Sequence, residues 1–227
     1  MATTTIPWND GSGDVITLTY PAASGNQTVA VSSDANTGAA RTKVVTFSAG
    51  GITRELTVNQ RGAPQQYTLE VNPSSFIPKA TDGAWYSLDN YHNAYNDESN
   101  TTYALIHLTR GSSNAVTYCY YCFDTSDIPA GATIDSVECN AKIFISNATS
   151  ANVAVRQVQM FSGTTAMGSS QNATTTARVV TYSGVTWTRE QVNDVRIRFY
   201  AERGTKNLNS DYYFRFYGAT LTIKYTY

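Results

Sequence analysis

An all-β chain, with a small immunoglobulin-like sandwich followed by a larger jelly-roll β-sandwich, is the fold class that this sequence predicts. The 227 residues include 32 threonines and 16 tyrosines but only 8 leucines, and this composition favours strands over helices. Short runs of alternating polar and apolar residues are separated by clusters of glycine, asparagine and proline, which is typical of strands joined by turns. Both observations argue against a helical bundle and against a doubly wound α/β fold.

The first sixty residues contain four such runs and predict the smaller sandwich. In the last run Ile52, Leu56 and Val58 share one face, as in a half-buried strand. Gly50 and Gly51 stand between the last two runs, and this pair predicts a hairpin. The four strands are predicted at residues 15–20, 27–31, 41–47 and 52–58.

Residues 62–66, Gly-Ala-Pro-Gln-Gln, form the predicted linker because they are short, polar and rich in residues that end strand pairing. The predicted domains are therefore residues 1–61, which include an N-terminal anchor segment, and residues 67–227. The second stretch is long enough for one larger sandwich.

The second domain is predicted to contain one short helix among its strands. Thr188 is expected to cap a helix over residues 188–195, with Glu190 and Gln191 in its first turn. Seven strands are predicted at residues 104–109, 116–123, 134–145, 153–161, 179–182, 195–202 and 212–227.

The charge and motif content argues against several classes of function. Sixteen Lys and Arg against 17 Asp and Glu leave a net charge of −1, so no basic surface for nucleic acid is expected. No run approaches the ~18 apolar residues that a membrane-spanning helix needs. The two histidines, His92 and His107, lie in separate contexts, and no nucleophile motif is recognisable. We therefore predict that the chain is not an enzyme and needs no cofactor, with paired carboxylates for glycoside cleavage as the alternative.

Three cysteines, Cys119, Cys122 and Cys139, are predicted to be free thiols. Cys119 and Cys122 are three residues apart on one strand and so face opposite sides, which argues against a shared metal ion. If Phe123 points into the core, so do Cys119 and Tyr121. Cys139 alternates in step with Val137, Ala141 and Ile143 and is also predicted to point inward. The odd count, with no secretory signal in the opening residues, favours folding in a reducing cytoplasm.

Residues 82–103 are the candidate ligand-binding segment because aromatic and amide side chains are densest there. Aromatic rings stack on the C–H faces of sugars, and amides supply hydrogen bonds. Protein contacts use the same composition, and a third interpretation is that the rings simply close the end of the sandwich. The predicted contact residues are Trp85, Tyr86, Asn90, Tyr91 and Tyr95.

Ile6 and Trp8 are two apolar side chains in an otherwise polar N-terminal segment, and they are candidate residues for docking to a partner protein. An exposed Trp8 beside Pro7 would serve as an anchor in a partner surface. The equally weighted alternative is that both residues belong to the first strand and pack on the core of their own domain.

The stretch from Val31 to Gln60 resembles the Bacteroidetes-associated carbohydrate-binding often N-terminal (BACON) family. The resemblance is carried by residues 31–38, by the strand of residues 41–47 and by residues 51–60, which close a hairpin in Val-Asn-Gln before the linker. It implies an immunoglobulin-like sandwich, found in glycan-handling proteins of gut bacteria and in virion proteins of the phages that infect them.

The second domain resembles the jelly-roll domains of phage fibres and surface proteins. Residues 123–137 carry this resemblance, with a strand that ends in Phe-Asp, an Ile-Pro corner and a Gly-x-x-Ile restart. Residues 187–193, a Trp-Thr-Arg-Glu-Gln-Val-Asn segment before a strand, are also similar.

Together these resemblances imply a virion structural protein of a crAss-like or similar gut phage, assembled in the cytoplasm of the bacterial host. It is expected to be a head fibre, a capsid decoration or a tail-associated adhesin, docked to capsid or tail proteins by its N-terminal module. The larger domain is expected to contact a host-surface glycan or protein. A homo-oligomer on the particle is expected, with contact surface from Tyr212, Tyr213, Tyr217, Tyr225 and Tyr227. The alternative is a bacterial surface protein that binds or cleaves glycans.

Overall fold

Antiparallel strands make up nearly all of the regular structure, and the predicted fold class is confirmed. The chain forms two compact units, Met1–Gln65 and Gln66–Tyr227, whose boundary falls within the predicted linker. The computed structural model describes residues 1–21, 28–49, 51–80, 86–89, 93–94, 102–108, 116–146, 153–203 and 212–227.

The first unit is a small sandwich of a three-stranded and a two-stranded sheet. The strand order is β1-β2-β3 in one sheet and β4-β5 in the other. Trp8, Ile16 and Leu18 from the first sheet and Val45 from the second form one buried cluster between them. The strands are β1 (Ala2–Pro7), β2 (Val15–Tyr20), β3 (Ala30–Ser33), β4 (Arg41–Ala49) and β5 (Ile52–Gln60).

The predicted β4–β5 hairpin is confirmed, and its register runs from Arg41 opposite Gln60 to Ala49 opposite Ile52. Gly51 has a φ of +80°, in the left-handed region that glycine adopts without strain. Strand β2 has the predicted bounds, whereas β3 begins at Ala30 rather than at residue 27.

The end of the first unit is held by a turn around Asn36. The Asn36 side-chain amide donates to the carbonyl oxygens of Ala39 and Arg61 at 2.7 and 2.8 Å, and the Ala63 amide donates to Gly38 at 2.8 Å. A Cβ on Gly62 would lie 3.0 Å from the backbone of this turn. The predicted linker is thus packed against the first unit as far as Ala63.

The second unit is a larger, jelly-roll-like sandwich. One sheet has the order β13-β12-β15-β10-β7; the other has the order β14-β11-β16-β9-β8, with β6 also paired to β16. Its elements are β6 (Gln66–Val71), β7 (Pro73–Ala80), β8 (Tyr86–Asp89), β9 (Ala104–Leu108), β10 (Val116–Phe123), β11 (Thr133–Ile145), β12 (Val153–Ser162), β13 (Thr165–Asn172), β14 (Arg178–Tyr182), α1 (Arg189–Val192), β15 (Val195–Arg203) and β16 (Tyr212–Thr226).

Aromatic rings from the two sheets meet in the core of the second unit. The ring centroid of Phe199 on β15 lies 4.2 Å from that of Phe214 and 5.5 Å from that of Phe216, both on β16. Tyr121 on β10 lies 4.9 Å from Phe216. All four side chains are fully buried. Aromatic pairs in tilted contact contribute beyond their buried area, so this group of rings joins the central strands of the two sheets.

The predicted orientations of the cysteines are confirmed. Cys119, Tyr121 and Phe123 point into the core, Cys139 is buried in it, and Cys122 faces the other side of its sheet. Burial raises the pKa of the Cys119 thiol well above its usual value, so Cys119 remains a protonated, apolar side chain at neutral pH.

Strand β16 changes its inward-facing residues partway along its length. Phe214 and Phe216 point into the core, but beyond Gly218 the inward residues are Ala219, Leu221 and Ile223. The register with β11 shifts at the same place, and Gly218 has a φ of 132°, a conformation that favours glycine. A β-bulge at Tyr217–Gly218 therefore re-aims the second half of the strand.

The two segments that resemble jelly-roll domains contact each other. Thr125 Oγ1 donates to the Val192 carbonyl at 3.0 Å, and Arg189 Nε donates to the Pro129 carbonyl at 3.0 Å. Helix α1 begins at the predicted cap, Thr188, with reciprocal hydrogen bonds to Gln191. It ends at Val192, earlier than predicted, because β15 starts at Val195. This helix, the only α-helix among the described residues, is too short to span a membrane.

Replacing Phe199 with alanine is expected to destabilise the second unit by about 3–5 kcal/mol, since it removes a buried ring that contacts two others. Chemical denaturation followed by circular dichroism measures the loss. Val179→Ala is the control, because Val179 is 49% exposed and its truncation is expected to cost less than about 0.5 kcal/mol. Equal losses in the two variants would contradict the role given to the aromatic core.

Candidate functional site

The predicted ligand-binding residues are placed only in part. Trp85, Asn90, Tyr91 and Tyr95 lie outside the described residues. Tyr86 begins β8, where its backbone is opposite Leu108 of β9. The prediction that this segment binds a ligand stays a prediction.

Parts of the same segment that the structure does describe contact the second sandwich. Ala94 is fully buried in its core, and Asn93 Nδ2 donates to the Tyr103 carbonyl at 3.4 Å. The Tyr103 ring packs edge-on against Tyr217, with 5.4 Å between centroids. Ala94 therefore packs in the core, and Tyr103 packs on Tyr217. The interpretation in which the rings of this segment close the end of the sandwich stays a prediction, because Trp85, Tyr91 and Tyr95 lie outside the described residues.

The expectation that Trp8 is an exposed anchor is wrong. Trp8 is 5% exposed and packs with Ile16 and Leu18, while Ile6 is half-buried against the same cluster. The indole N–H donates to Ser33 Oγ at 2.9 Å. The alternative, in which this segment forms the first strand and packs on its own domain, is the one that the structure shows, because the apolar faces of a small sandwich are needed for its own core.

Arg41 joins the N-terminal segment to the second sheet of the first unit. Its guanidinium carbon lies 4.4 Å from the Trp8 ring centroid. Its two Nη atoms donate to Asp10 at 2.5 Å and Asp14 at 2.8 Å, and its Nε donates to Gln60 at 2.8 Å. The charge of Arg41 is thus fully compensated within its own unit, which indicates a structural role.

A small pocket lies at one end of the second core, between Cys139, Met160, Met167, Tyr182 and Trp187. It has room for about one water molecule. The Tyr182 hydroxyl donates to the Val158 carbonyl, and burial raises its pKa. A pocket of this size is too small for a sugar or a peptide.

The outer face of the five-stranded sheet carries an aromatic and arginine surface, which we name the Tyr–Arg face. Its residues alternate along three neighbouring strands with the buried side chains Cys119, Tyr121, Ile197 and Phe199. The Tyr–Arg face consists of Tyr118, Tyr120, Gln157, Gln159, Phe161, Arg196, Arg198 and Tyr200.

Arg198 lies at the centre of this face, on the middle strand of the sheet. Its guanidinium carbon is 4.5 Å from the Phe161 ring centroid and 4.8 Å from that of Tyr200. Nη2 donates to Gln159 Oε1 at 3.2 Å, while Nε is buried without a hydrogen-bond acceptor. The side chain is held by stacking rather than by a carboxylate.

The neighbouring groups on this sheet are paired differently. Arg196 makes a two-pronged contact with Asp194, with Nε and Nη2 donating at 2.7 and 2.8 Å. The Tyr200 hydroxyl donates to Glu202 at 2.9 Å. Burial, aided by this carboxylate, raises the pKa of Tyr200 to about 12, so the hydroxyl keeps its proton at neutral pH.

A second cluster of rings and cations lies on the outer face of the six-stranded sheet. The guanidinium carbon of Arg215 is 4.5 Å from the Tyr103 ring centroid and 5.2 Å from that of Phe144, and Lys142 Nζ lies 5.5 Å from that of Tyr217. Arg215 Nε is also buried without an acceptor. Tyr217 is buried, so the expectation that it offers contact surface to another copy is wrong.

The Tyr–Arg face was not predicted from the sequence, although the signal is present. Once Cys119 and Tyr121 are assigned to the core, alternation places Tyr118 and Tyr120 on the opposite face. The arginines lie beside these rings because β10 pairs with β15, a strand far away in sequence. Alternation along a single strand does not predict this pairing.

Acid is expected to unfold the first unit partly through Asp10. Hydrogen bonds from Ser12, and then from Arg41, hold the pKa of Asp10 well below its usual range. This stabilisation is present above the unfolded-state pKa of about 3.9 and is lost as the pH falls through the lower folded-state value. Asp10→Asn is expected to lower Tm at neutral pH and to make Tm fall less as the pH is lowered. Thermal unfolding at a series of pH values measures both effects. Glu55→Gln, on exposed β5, is the control; identical acid profiles for Asp10→Asn and the parent would contradict this assignment.

Comparison with known proteins gives no family for this chain. No protein-family model matches it, and no curated protein matches it. Among solved structures it is similar to a Stig cyclase, Fisc from Fischerella sp. TAU, in complex with (3Z)-3-(1-methyl-2-pyrrolidinylidene)-3H-indole. That similarity has 10% sequence identity and a TM-score of 0.31, and it covers 68% of this chain and 98% of that chain. A likeness at this level carries no argument about function.

Proposed function

We propose that the chain is a non-enzymatic structural protein of a phage virion that presents the Tyr–Arg face to a molecule of the host surface. The head fibre, the capsid decoration and the tail-associated adhesin are the three forms of this role. The proposal is supported by the sequence resemblances to BACON and phage-fibre domains and, in the structure, by the composition of the Tyr–Arg face.

The Tyr–Arg face has the chemistry of a recognition surface. Tyrosine and arginine are enriched at binding hot spots because they combine a large apolar area with directed hydrogen bonds. The Tyr118 and Tyr200 rings are stacked with 6.0 Å between centroids, and both are half-buried. Rings held in this way lose little conformational entropy when a ligand covers them.

In this proposal the first unit docks to the particle, although not through Trp8. Among the described residues its exposed large apolar side chains are Met1, Val31, Val44 and Ile52, of which Ile52 is 61% exposed. Val44 and Ile52 belong to the β4–β5 hairpin, so this hairpin is the proposed contact with capsid or tail proteins.

Mass spectrometry of purified virions tests the proposed location, and the chain is expected among the particle proteins. Its absence from particles, with recovery from the bacterial surface instead, would overturn the virion role and favour the bacterial glycan-binding alternative.

Truncating the two stacked tyrosines tests the Tyr–Arg face. The variant Tyr118→Ala/Tyr200→Ala is expected to lose about tenfold or more in binding to host cells, because each ring supplies contact area at a hot spot. Labelled protein in a cell-binding titration measures the loss, after thermal unfolding has shown that the variant is folded. Tyr67→Ala/Tyr225→Ala is the matched control, since those rings are also stacked, at 5.5 Å, but on the other sheet. Equal binding by the parent and the first variant would rule out this face.

A further inference from the structure

We infer that Arg198 is the centre of a site for acidic glycans, in which its guanidinium binds a sugar carboxylate while the half-buried rings of Tyr118 and Tyr200 contact the sugar. This inference rests on the proposed function and assigns the ligand class of the same face.

The charge of Arg198 is uncompensated within the described part of the chain. Ion pairs among those residues join Arg41 to Asp10 and Asp14, and Arg196 to Asp194. Arg198 instead has a neutral amide, Gln159, as its hydrogen-bond partner. The two carboxylates nearest in sequence, Asp194 and Glu202, have other partners: Asp194 pairs with Arg196, and Glu202 accepts from the Tyr200 hydroxyl. A half-buried cation without a counter-ion is a favourable partner for an anionic ligand.

The geometry of Arg198 suits a carboxylate. Contacts with the Phe161 and Tyr200 rings, together with the hydrogen bond to Gln159, hold the guanidinium in place before any ligand arrives. Nη1 has no hydrogen-bond partner among the described residues, and Nη2 has only the 3.2 Å bond to Gln159. A planar carboxylate matches the paired N–H donors of a guanidinium.

The surroundings of Arg198 suit the rest of a sugar. Tyr118 on β10 and Tyr200 on β15 are directly opposite each other in the register, and both are half-buried, so their rings are open to a ligand. Tyr120 and Phe161 are only 8% and 4% exposed and form the base of the face beside Arg198. Tyrosine faces stack on the C–H surfaces of pyranose rings, and Gln157 and Gln159 add amide groups on the adjacent strand. Because Arg196 is neutralised by Asp194, Arg198 is the one uncompensated cation among the described residues of the face, which fits a sugar with a single charge, such as a uronic or sialic acid.

Binding to carboxylate polysaccharides tests the inference. The probes are polygalacturonate, alginate and polysialic acid, with fully methyl-esterified polygalacturonan as the uncharged counterpart of the first. The parent protein is expected to bind at least one of the three acidic polymers in biolayer interferometry. For polygalacturonate, binding is expected to fall on esterification, and binding of any acidic polymer is expected to weaken as salt is added.

Arg198→Gln is expected to reduce this binding by about 10-fold to 100-fold, because it removes one charge that would be hydrogen-bonded to the ligand. Arg198→Lys keeps the charge without the planar fork and is expected to be intermediate. Arg215→Gln is the matched control, because Arg215 is also stacked on two rings and has a buried, unpaired Nε, but lies on the other sheet. Near-ultraviolet circular dichroism establishes that each variant keeps its aromatic packing.

Several results would overturn the inference. These are no binding to any of the three acidic polymers, equal binding to the esterified and free forms, binding only to sulfated polymers such as heparin, or a loss in Arg215→Gln rather than in Arg198→Gln. The proposed function is tested separately, by the binding of Tyr118→Ala/Tyr200→Ala to host cells. If Arg198→Gln still binds host cells like the parent while Tyr118→Ala/Tyr200→Ala does not, the face is a binding surface and the acidic ligand is wrong.

Discussion

The contact of Phe199 with Phe214 and Phe216 is the interaction on which the larger unit depends. These rings join the middle strand of one sheet to the longest strand of the other. Because side chains alternate along a strand, fixing Phe199 inward fixes Arg198 and Tyr200 outward. The inward packing of Phe199 thus determines which side chains form the Tyr–Arg face. If β15 shifted by one residue, Ile197 and Phe199 would replace the arginines on the outer face of the sheet.

Arginines on the two units are held in contrasting ways. Arg41 donates hydrogen bonds to two carboxylates and an amide. The carboxylates neutralise its charge, and the contacts tie the N-terminal segment to the second sheet of the first unit. Arg198 and Arg215 are each held between two aromatic rings. Stacking positions a guanidinium without neutralising it. The first arrangement favours stability, and the second leaves electrostatic attraction available to a partner.

Sequence alone predicted what depends on local alternation and turn chemistry. The hairpin closed at Gly51, the Thr188 cap and the inward Cys119 and Cys139 all follow from such patterns. It did not predict β7, which contains two prolines, or β13, whose side chains are mostly small and polar, because these edge strands form through pairing with their neighbours. Trp8 was ambiguous for the same reason, since its burial depends on strands distant in sequence. The Tyr–Arg face likewise requires knowledge of which strands are adjacent.

The bulge at Gly218 makes β16 behave as two strands on one continuous backbone. Its first half pairs with β9 and its second half with β6 along the same edge, while β11 spans both halves. Each half has its own inward set of side chains, so the two neighbours are selected by separate hydrophobic patterns. Gly218 therefore lets one strand pair with β9 and with β6 in two separate registers.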